Sequence, residues 1–485
     1  MQAIGAEKLN RFRFWSVLLA LQILLLPASI LVISTLLFWV TVPVTVVHFP
    51  LGLAAAIGIS RLIVRKHKDF EPPEDVRERD FFRVTLVFIL LILVGLFISM
   101  GIDDFAREGR DVFRFHQAGI LAAAGEDTVG DTAGTGSAFV DFYPRAPWVT
   151  AASLYKLTRS IHSGKVFHFL YLVAVFLVTF DFLYHYRKVP SRLRRVIALL
   201  TACNPVAIYQ LFSLSDGSQL ASLIGVTVIL SFHYTMFRAR RTVVLLAITL
   251  LSLSNIKFPG LVYGLVIALL SWLSVLIIDR DRQKHFVLYV SAAFFVAVAV
   301  VGFHPYVTNL VNKGNPFYGV SGVEEPLAPQ AFMGKDRVRQ LVYSLFSKSD
   351  RRSERMPRLK IPFAIDGSEI DAFSRGDVIY GGFGPLFGSV LLLVIAAVVF
   401  LFKSKRLILL YTFIGAGIIL VSALVTSGVW CARLAPQLWL LPITFIVSFF
   451  YIRKGNSMAY IRGFALSLLL LNSFLVLHTY IAYNI

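Results

Sequence analysis

The sequence predicts an all-α polytopic membrane protein, and three observations support this fold class. Hydrophobic residues make up 57% of the 485 residues, only 15% are charged, and the mean hydropathy is +0.73. Uncharged apolar runs recur at close to the roughly 20 residues that a membrane-spanning helix needs. Basic residues gather in short segments between these runs, as is typical of cytoplasmic loops. The chain is therefore too apolar for a soluble fold.

The apolar runs predict about thirteen transmembrane helices. Residues 14–60 are long enough for two spans with a turn near 41–50, and the basic segment after them marks the cytoplasmic side. A third span is predicted at 82–100. The remaining spans are predicted near 166–186, 195–212, 219–236, 242–256, 259–278, 286–303, 386–403, 406–426, 437–452 and 462–482. On this count the N-terminus lies inside and the C-terminus outside.

This topology divides the chain into four parts. They are an N-terminal transmembrane hairpin with a cytoplasmic linker (1–81), a transmembrane module (82–303) with a first outer loop at 101–165, a second large outer loop (304–385), and C-terminal transmembrane helices (386–485). Both loops are expected on the extracytoplasmic face and to carry amphipathic helices. The second contains the basic stretch KDRVRQLVYSLFSKSDRRSERMPRLK, which predicts either a contact for phosphate groups or a solvated amphipathic helix.

Charge and cysteine content exclude two other classes of protein. The net charge of +19 does not indicate nucleic-acid binding, because Lys and Arg lie mostly in short loops where they set topology and meet anionic headgroups. The two cysteines, Cys203 and Cys431, lie in or beside apolar runs, so no disulfide framework is predicted.

Three aspartates in the first outer loop are the candidate catalytic groups: Asp103, Asp104 and Asp111. Asp111 begins the amphipathic pattern DVFRFHQAGILAAAG, which predicts a helix along the membrane surface. A carboxylate there is suited to take a proton from a sugar hydroxyl while that oxygen attacks an anomeric carbon. A departing lipid phosphate is a stable anion, so one carboxylate is enough, unlike in glycoside hydrolysis. The alternative for each aspartate is helix capping or solvent exposure.

Binding of a lipid phosphate also requires positive charge. Arg145, Lys257, Arg433 and the basic stretch of the second loop are the candidates. For Lys257 and Arg433 the alternative is that both lie at span ends and extend to the membrane surface.

Other polar residues are candidate substrate contacts. His116 and Gln117 are placed to hydrogen-bond a substrate, and a lone His shows no metal-ligand pattern. Asp216 is another candidate, although its position before Gly217 is also typical of a turn. No ligand cluster argues for a metal, so a divalent cation stays unsupported.

Several segments resemble blocks of the GT-C superfamily of bacterial polytopic glycosyltransferases. GRDVFRFHQAG looks like the Asp-x-x-x-aromatic-His pattern of the first outer loop, and DFYPRAPWVTAASLYKLT is similar to the His-Tyr-Pro-Lys type segment that follows it. Similar blocks come downstream in the same order: NPVAIYQLFSLSDGSQLASL, LSNIKFPGLVY, HPYVTNLVNKGNPFYG, IYGGFGPLFG and VWCARLAPQLWLLP. The resemblance covers residues 82–450, without the N-terminal hairpin.

The resemblance implies an inverting transferase in the bacterial inner (cytoplasmic) membrane. Such an enzyme takes a sugar from a polyprenyl-phosphate carrier on the extracytoplasmic face and passes it to a lipid-linked or cell-surface acceptor, in glycan biosynthesis of the cell envelope. The essential carboxylate of the family carries over onto Asp111, with Asp104 and Asp103 as reserves. No cofactor is implied beyond the polyprenyl-phosphate sugar donor.

The matched blocks add Tyr143, His304 and Asn315 as candidate substrate contacts. Two positions depart from the family pattern, since Phe142 stands where a His is expected and Leu434 where an aromatic residue is usual. These departures bear on the identity of the donor or acceptor more than on the fold.

Two other functions remain open at this point. An O-antigen polymerase or ligase, acting on a lipid diphosphate donor, would depend on outer-loop arginines rather than on a carboxylate. A transporter or lipid flippase would show internal repeats and ionisable residues near the middle of several spans. Here the acidic residues gather in the outer loops instead.

Overall fold

The fold is all-helical throughout the part of the chain that the computed structural model describes. These residues are 2–66, 77–102, 110–126, 140–186, 188–278, 283–318, 332, 334–352, 356–403, 406–426, 428–451 and 456–484. Within them β structure is limited to two isolated bridges, Ser347 with Leu359 and Asp350 with Tyr380.

Twelve α-helices of the described residues precede the second large loop. They are α1 (Gln2–Phe38), α2 (His48–Lys66), α3 (Arg77–Met100), α4 (Arg110–Ala123), α5 (Ala146–Thr158), α6 (Val166–His185), α7 (Ser191–Ala202), α8 (Pro205–Ile208), α9 (Gly217–Phe237), α10 (Arg240–Ser254), α11 (Phe258–Ile278) and α12 (Gln283–Phe295). A π-helical stretch, Val296–Val301, extends α12.

The second half adds three short helices in the second loop and four in the C-terminal part. They are α13 (Thr308–Lys313), α14 (Arg337–Phe346), α15 (Gly367–Asp371), α16 (Phe387–Val398), α17 (Arg406–Val425), α18 (Leu440–Ser448) and α19 (Asn456–Asn484). Short 3-10 helices precede α18 at Pro436–Trp439 and follow α16 at Val399–Lys403.

Nine helices in the described residues are long and apolar enough to cross a bilayer. They are α1, α2, α3, α6, α9, α11, α12, α17 and α19, and they make the chain a multi-pass membrane protein. Every one coincides with a predicted span. The other four predicted spans correspond to shorter helices: α7 with α8, α10, α16 and α18. The total of thirteen crossings therefore stays a prediction.

A local sequence signal explains one short helix. The helix α7 ends at Ala202, and the Asn204 side chain accepts from the Val206 N–H at 3.1 Å to begin α8. Because Pro205 has no N–H and disfavours helical geometry at the residue before it, the two helices cannot merge.

The first helix is part of the core. Its apolar window is 83% buried, and it packs against α2, α6 and α10. Gly52 of α2 lies so close to Ile30 that an added Cβ would be 2.4 Å from the Ile30 side chain. Small residues at such crossings let membrane helices approach closely.

The antiparallel helices give the bundle two distinct ends. The loop end carries α4, α5 and the first residues of α6, α9 and α11, and a bond from Val44 N to Ala123 O joins α4 to the α1–α2 turn. The opposite end carries the last residues of α6 and α9 and the first of α10. The first outer loop predicted from the sequence begins and finishes at the loop end, and the second begins there.

Candidate functional site

His116 is held in place by Trp148 at the loop end. It is 4% exposed on α4, and the Trp148 Nε1–H donates to His116 Nδ1 across 3.1 Å. The close packing requires Gly119, where an added Cβ would lie 2.3 Å from the Trp148 ring. Since an indole only donates, Nδ1 must be unprotonated and Nε2 carries the hydrogen. His116 is therefore a fixed hydrogen-bond donor through Nε2.

Burial keeps His116 neutral. Desolvation lowers the pKa of His116 to about 4, with smaller effects from Asp216, which raises it, and Lys257, which lowers it. At neutral pH the ring cannot supply a positive charge to a phosphate, but it can donate a hydrogen bond to a substrate oxygen.

Asp216 and Lys257 form an ion pair beside this histidine. Asp216 is 2% exposed immediately before α9, and Lys257 stands immediately before α11. The sequence had suggested a turn residue and a span-end lysine separately. The pairing means that a phosphate would have to compete with Asp216 for the Lys257 ammonium.

Tyr143 lines the same region through aromatic contacts. Its ring centroid lies 6.1 Å from that of Phe115, 6.2 Å from Trp148 and 5.4 Å from Phe258. This packing brings α4, α5 and α11 together, so the first outer loop and the start of α11 form one surface.

A cavity of about 200 Å³ lies next to this cluster and contains Arg145. Its lining includes Arg145, His304, Asn255, Trp39 and apolar residues of α1. Asn255 lines the cavity two residues before Lys257, and its carbonyl accepts from the Ala146 N–H at 3.1 Å. The volume is more than ten times the roughly 10–15 Å³ that one water needs, which leaves room for a phosphate-sized group.

Arg145 is only partly neutralised in this cavity. Its Nη2 donates to Asp141 Oδ1 at 3.1 Å, whereas the buried Nε has no hydrogen-bond partner among the described residues. Burial lowers the pKa of Arg145, and Asp141 opposes that effect. A guanidinium that lines a cavity and whose paired carboxylate is exposed is suited to bind an anion.

His304 faces the same cavity from the second loop. Its Nδ1 lies 2.9 Å from Thr308 Oγ1. Burial lowers the pKa of His304 to about 4, and the neighbouring Arg145 lowers it further. Like His116, this ring is neutral at pH 7.

A second polar cluster surrounds Arg433, on the other side of the segment between α8 and α9. Arg433 interacts electrostatically with Tyr209 and Asp377. The Tyr209 hydroxyl and Asp377 Oδ1 are buried and have no hydrogen-bond partner within the described part of the chain. Burial raises the pKa of Tyr209, so its hydroxyl stays protonated.

The remaining predicted residues divide into three groups. Asp103 and Asp104 lie outside the described residues; Asp111 belongs to the first turn of α4, and its side chain is likewise outside them. Gln117 is half-buried on α4. Asn315 lies in a turn after α13, where its Oδ1 accepts from the Phe317 N–H at 2.9 Å.

The sequence did not indicate Trp148, Asn255 or Asp377 as parts of a site. Trp148 lies in the first turn of α5 and contacts a histidine 32 residues away, which no local pattern reveals. The one available signal was that Asn255 and Asp377 are polar residues beside apolar runs, where unpaired polar groups are costly.

One group of residues in the described ranges has the spacing of metal ligands, and it lies at the opposite end. Ligand atoms of Asp181, His185 and His233 all lie within 4.8 Å of one another. However, Arg13 and Arg241 both donate to Asp181 and to His185 Nε2. Two guanidinium groups occupy the ligand atoms and repel a cation, so the residues do not fit a metal ion.

Comparison with known proteins adds no family: no protein-family model matches the sequence, and no curated protein matches it either.

Proposed function

We propose that this protein is a GT-C-like inverting glycosyltransferase that moves a sugar from a polyprenyl-phosphate carrier to a lipid-linked or cell-surface acceptor. The observation that supports this most is the convergence of residues selected from separate segments. His116, Tyr143, Arg145, Lys257 and His304 come from four parts of the sequence and meet at one end of the bundle. A transporter has no evident need for this grouping at one end.

The cavity supports a lipid-phosphate donor in particular. The side from α1 combines the apolar Leu31 and Phe38 with the hydroxyls of Ser34 and Thr35, and the 58% exposed Trp39 also lines it. Arg145 lies on the other side, and its Nε has no hydrogen-bond partner among the residues that the structure describes. A polyprenyl phosphate combines the same two properties, because an apolar chain is attached directly to an anion.

In the proposed reaction Asp111 is the general base. Its carboxylate takes the proton from the acceptor hydroxyl as that oxygen forms a bond to the anomeric carbon, and the bond between this carbon and the phosphate oxygen breaks. The polyprenyl phosphate leaves as an anion beside Arg145, so no general acid is required. Lys257 is the weaker candidate for phosphate because it is paired with Asp216.

The test uses the full-length protein in lipid vesicles with labelled polyprenyl-phosphate mannose, glucose or arabinose. Sugar transfer to a membrane-extract acceptor and release of polyprenyl phosphate are both measured. Asp111→Asn should lower the rate about 10²- to 10⁴-fold, the range for loss of a general base. Arg145→Gln should lower kcat/KM about 10- to 100-fold, as expected for a lost charged hydrogen bond.

The matched control is Glu126→Gln in the same outer loop. Lys156 and Tyr155 bind the Glu126 carboxylate at 2.7 and 2.8 Å and lower its pKa, so it has a structural role. Its transfer rate per folded molecule should not change. Full activity in Asp111→Asn, Asp104→Asn and Asp103→Asn, or transfer only from lipid diphosphate donors, would contradict the proposal.

A further inference from the structure

Residues 356–365 of the second loop expose an unusual amount of apolar surface. Met356, Leu359, Ile361, Phe363 and Ile365 are all more than 40% exposed, and Ile361 reaches 71%. Five large apolar side chains within ten residues form a contiguous patch, and such patches mark contacts with a membrane or a partner.

The contacts of Phe363 place this segment beside the spans rather than above them. The Phe363 N–H donates to Ser389 Oγ of α16 at 2.7 Å, and its ring stacks on Phe464 of α19 with centroids 6.4 Å apart. Phe464 is itself 52% exposed and belongs to the candidate span Ser457–Tyr483. The loop therefore packs against the lipid-facing side of a transmembrane helix.

The position along α19 follows from helix geometry. The Tyr480 hydroxyl of α19 accepts from the Phe212 N–H at 3.2 Å, in the segment that leads to α9 at the loop end. Phe464 lies sixteen residues earlier on the same helix, and a rise of 1.5 Å per residue places it about 24 Å away along α19. The apolar patch thus lies beside the candidate span Ser457–Tyr483 and well away from the loop end.

A basic cavity adjoins the beginning of the same segment. It has a volume of about 100 Å³ and is lined by Lys348, Arg352, Arg358, Asp350 and Asp366 together with Met356 and Pro357. Lys348 pairs with Asp366, and Arg352 with Asp350, each at 3.3 Å. Among the described residues that line this cavity, three cations against two carboxylates leave one positive charge in excess, and Arg358 is exposed.

We propose that this surface binds an anionic phospholipid of the surrounding bilayer. The headgroup phosphate occupies the cavity at Lys348, Arg352 and Arg358, and an acyl chain lies along Leu359, Ile361 and Phe363. Both the excess charge and the position of the apolar patch beside a candidate span favour a lipid over a soluble ligand. This inference is independent of the proposed transferase activity, since none of these residues belongs to the cavity of Arg145.

The experiment places benzoylphenylalanine at position 361 in the full-length protein, reconstituted in phosphatidylcholine vesicles that contain a minority of phosphatidylglycerol. Mass spectrometry of the photo-crosslinked adducts gives the ratio of the two lipids. The same probe at Phe97, which is 83% exposed on α3, gives the ratio for bulk lipid. The excess charge should enrich phosphatidylglycerol about fivefold at position 361, the equivalent of about 1 kcal/mol per cation.

Two variants separate the proposal from a structural effect. Arg358→Glu, and separately Lys348→Gln with Arg358→Gln, should bring the ratio at position 361 down to the ratio at position 97. The ratio at position 97 should not change, which shows that the substitutions leave the contact with bulk lipid as it was. Equal ratios at the two positions in the parent protein would overturn the anionic preference, and adducts to a second copy of the chain or to another protein would overturn the lipid itself.

Discussion

The two ends of the helix bundle both bury histidines and charges, but they arrange them differently. At the opposite end, Asp181 accepts from Arg13 at 3.1 Å and from Arg241 at 3.3 Å, and His185 Nε2 lies 2.6 and 3.0 Å from the same two guanidiniums. Side chains of α1, α6 and α10 thus bind each other. At the loop end, Arg145 instead lines a cavity, and its Nε has no hydrogen-bond partner in the part of the chain that the structure describes.

This difference separates a structural cluster from a candidate binding site. A carboxylate that two arginines bind has no capacity left for a ligand, and its removal leaves buried cations without a counter-charge. A cation beside a cavity can exchange water for an anionic ligand at low cost. Buried charge alone therefore does not identify a functional site. Buried charge next to a cavity is a better indicator.

The largest expected effect is loss of stability at the opposite end. Asp181→Ala removes the buried carboxylate that Arg13 and Arg241 share, so the two cations lose this counter-charge, and we expect the free energy of unfolding to fall by about 3–5 kcal/mol. Thermal unfolding in detergent, followed by intrinsic fluorescence, measures this. Glu78→Ala is the control, because Glu78 pairs with Arg61 and Arg65 at the exposed surface. In this variant the free energy of unfolding should fall much less. If the free energy of unfolding falls equally in the two variants, the cluster around Asp181 stabilises the protein no more than an exposed ion pair does, and the distinction between the two ends is wrong.

The next effect tests the packing at the loop end. In Gly119→Ala the new Cβ would meet the Trp148 ring at 2.3 Å, and overpacking of this kind costs about 1–3 kcal/mol. The change should also separate Trp148 from His116 and so alter the near-ultraviolet circular dichroism of the indole. Gly58→Ala in α2 is the control, since an added Cβ there meets nothing within 4 Å. If Gly119→Ala changes neither the stability nor the near-ultraviolet circular dichroism, α4 does not pack against Trp148.

The sequence predicted the helices well and the site only in part, for one physical reason. A span such as α9 has a local signal, because apolar residues must continue for the thickness of the bilayer. The pairing of Lys257 with Asp216 has no such signal, since the two residues are 41 positions apart and meet through the packing of α9 and α11. The contact of Arg13 with Asp181 joins residues 168 positions apart.

The short helices are the part of the fold that the sequence did not predict. The predicted span 195–212 contains the Asn204-Pro205 step, and the structure uses this step to end α7 and begin α8. Hydropathy does not register the break because the residues on both sides are apolar. Likewise, the basic stretch of the second loop indicated a phosphate contact or a solvated helix, but not that residues 356–365 lie beside α19.

The smallest expected effect is the pH dependence of stability from His116. Its pKa is about 4 in the folded protein, below the ordinary value of 6.5, so the unfolded chain binds a proton more readily. The stabilising contribution is complete above about pH 6.5 and is lost as the pH falls toward 4. Between pH 7 and pH 5.5 the free energy of unfolding should fall by about 1 kcal/mol more in the parent protein than in His116→Gln. If His116→Gln keeps the pH dependence of the parent protein, the ring is open to water, and the loop end is less enclosed than the hydrogen bond from Trp148 to His116 indicates.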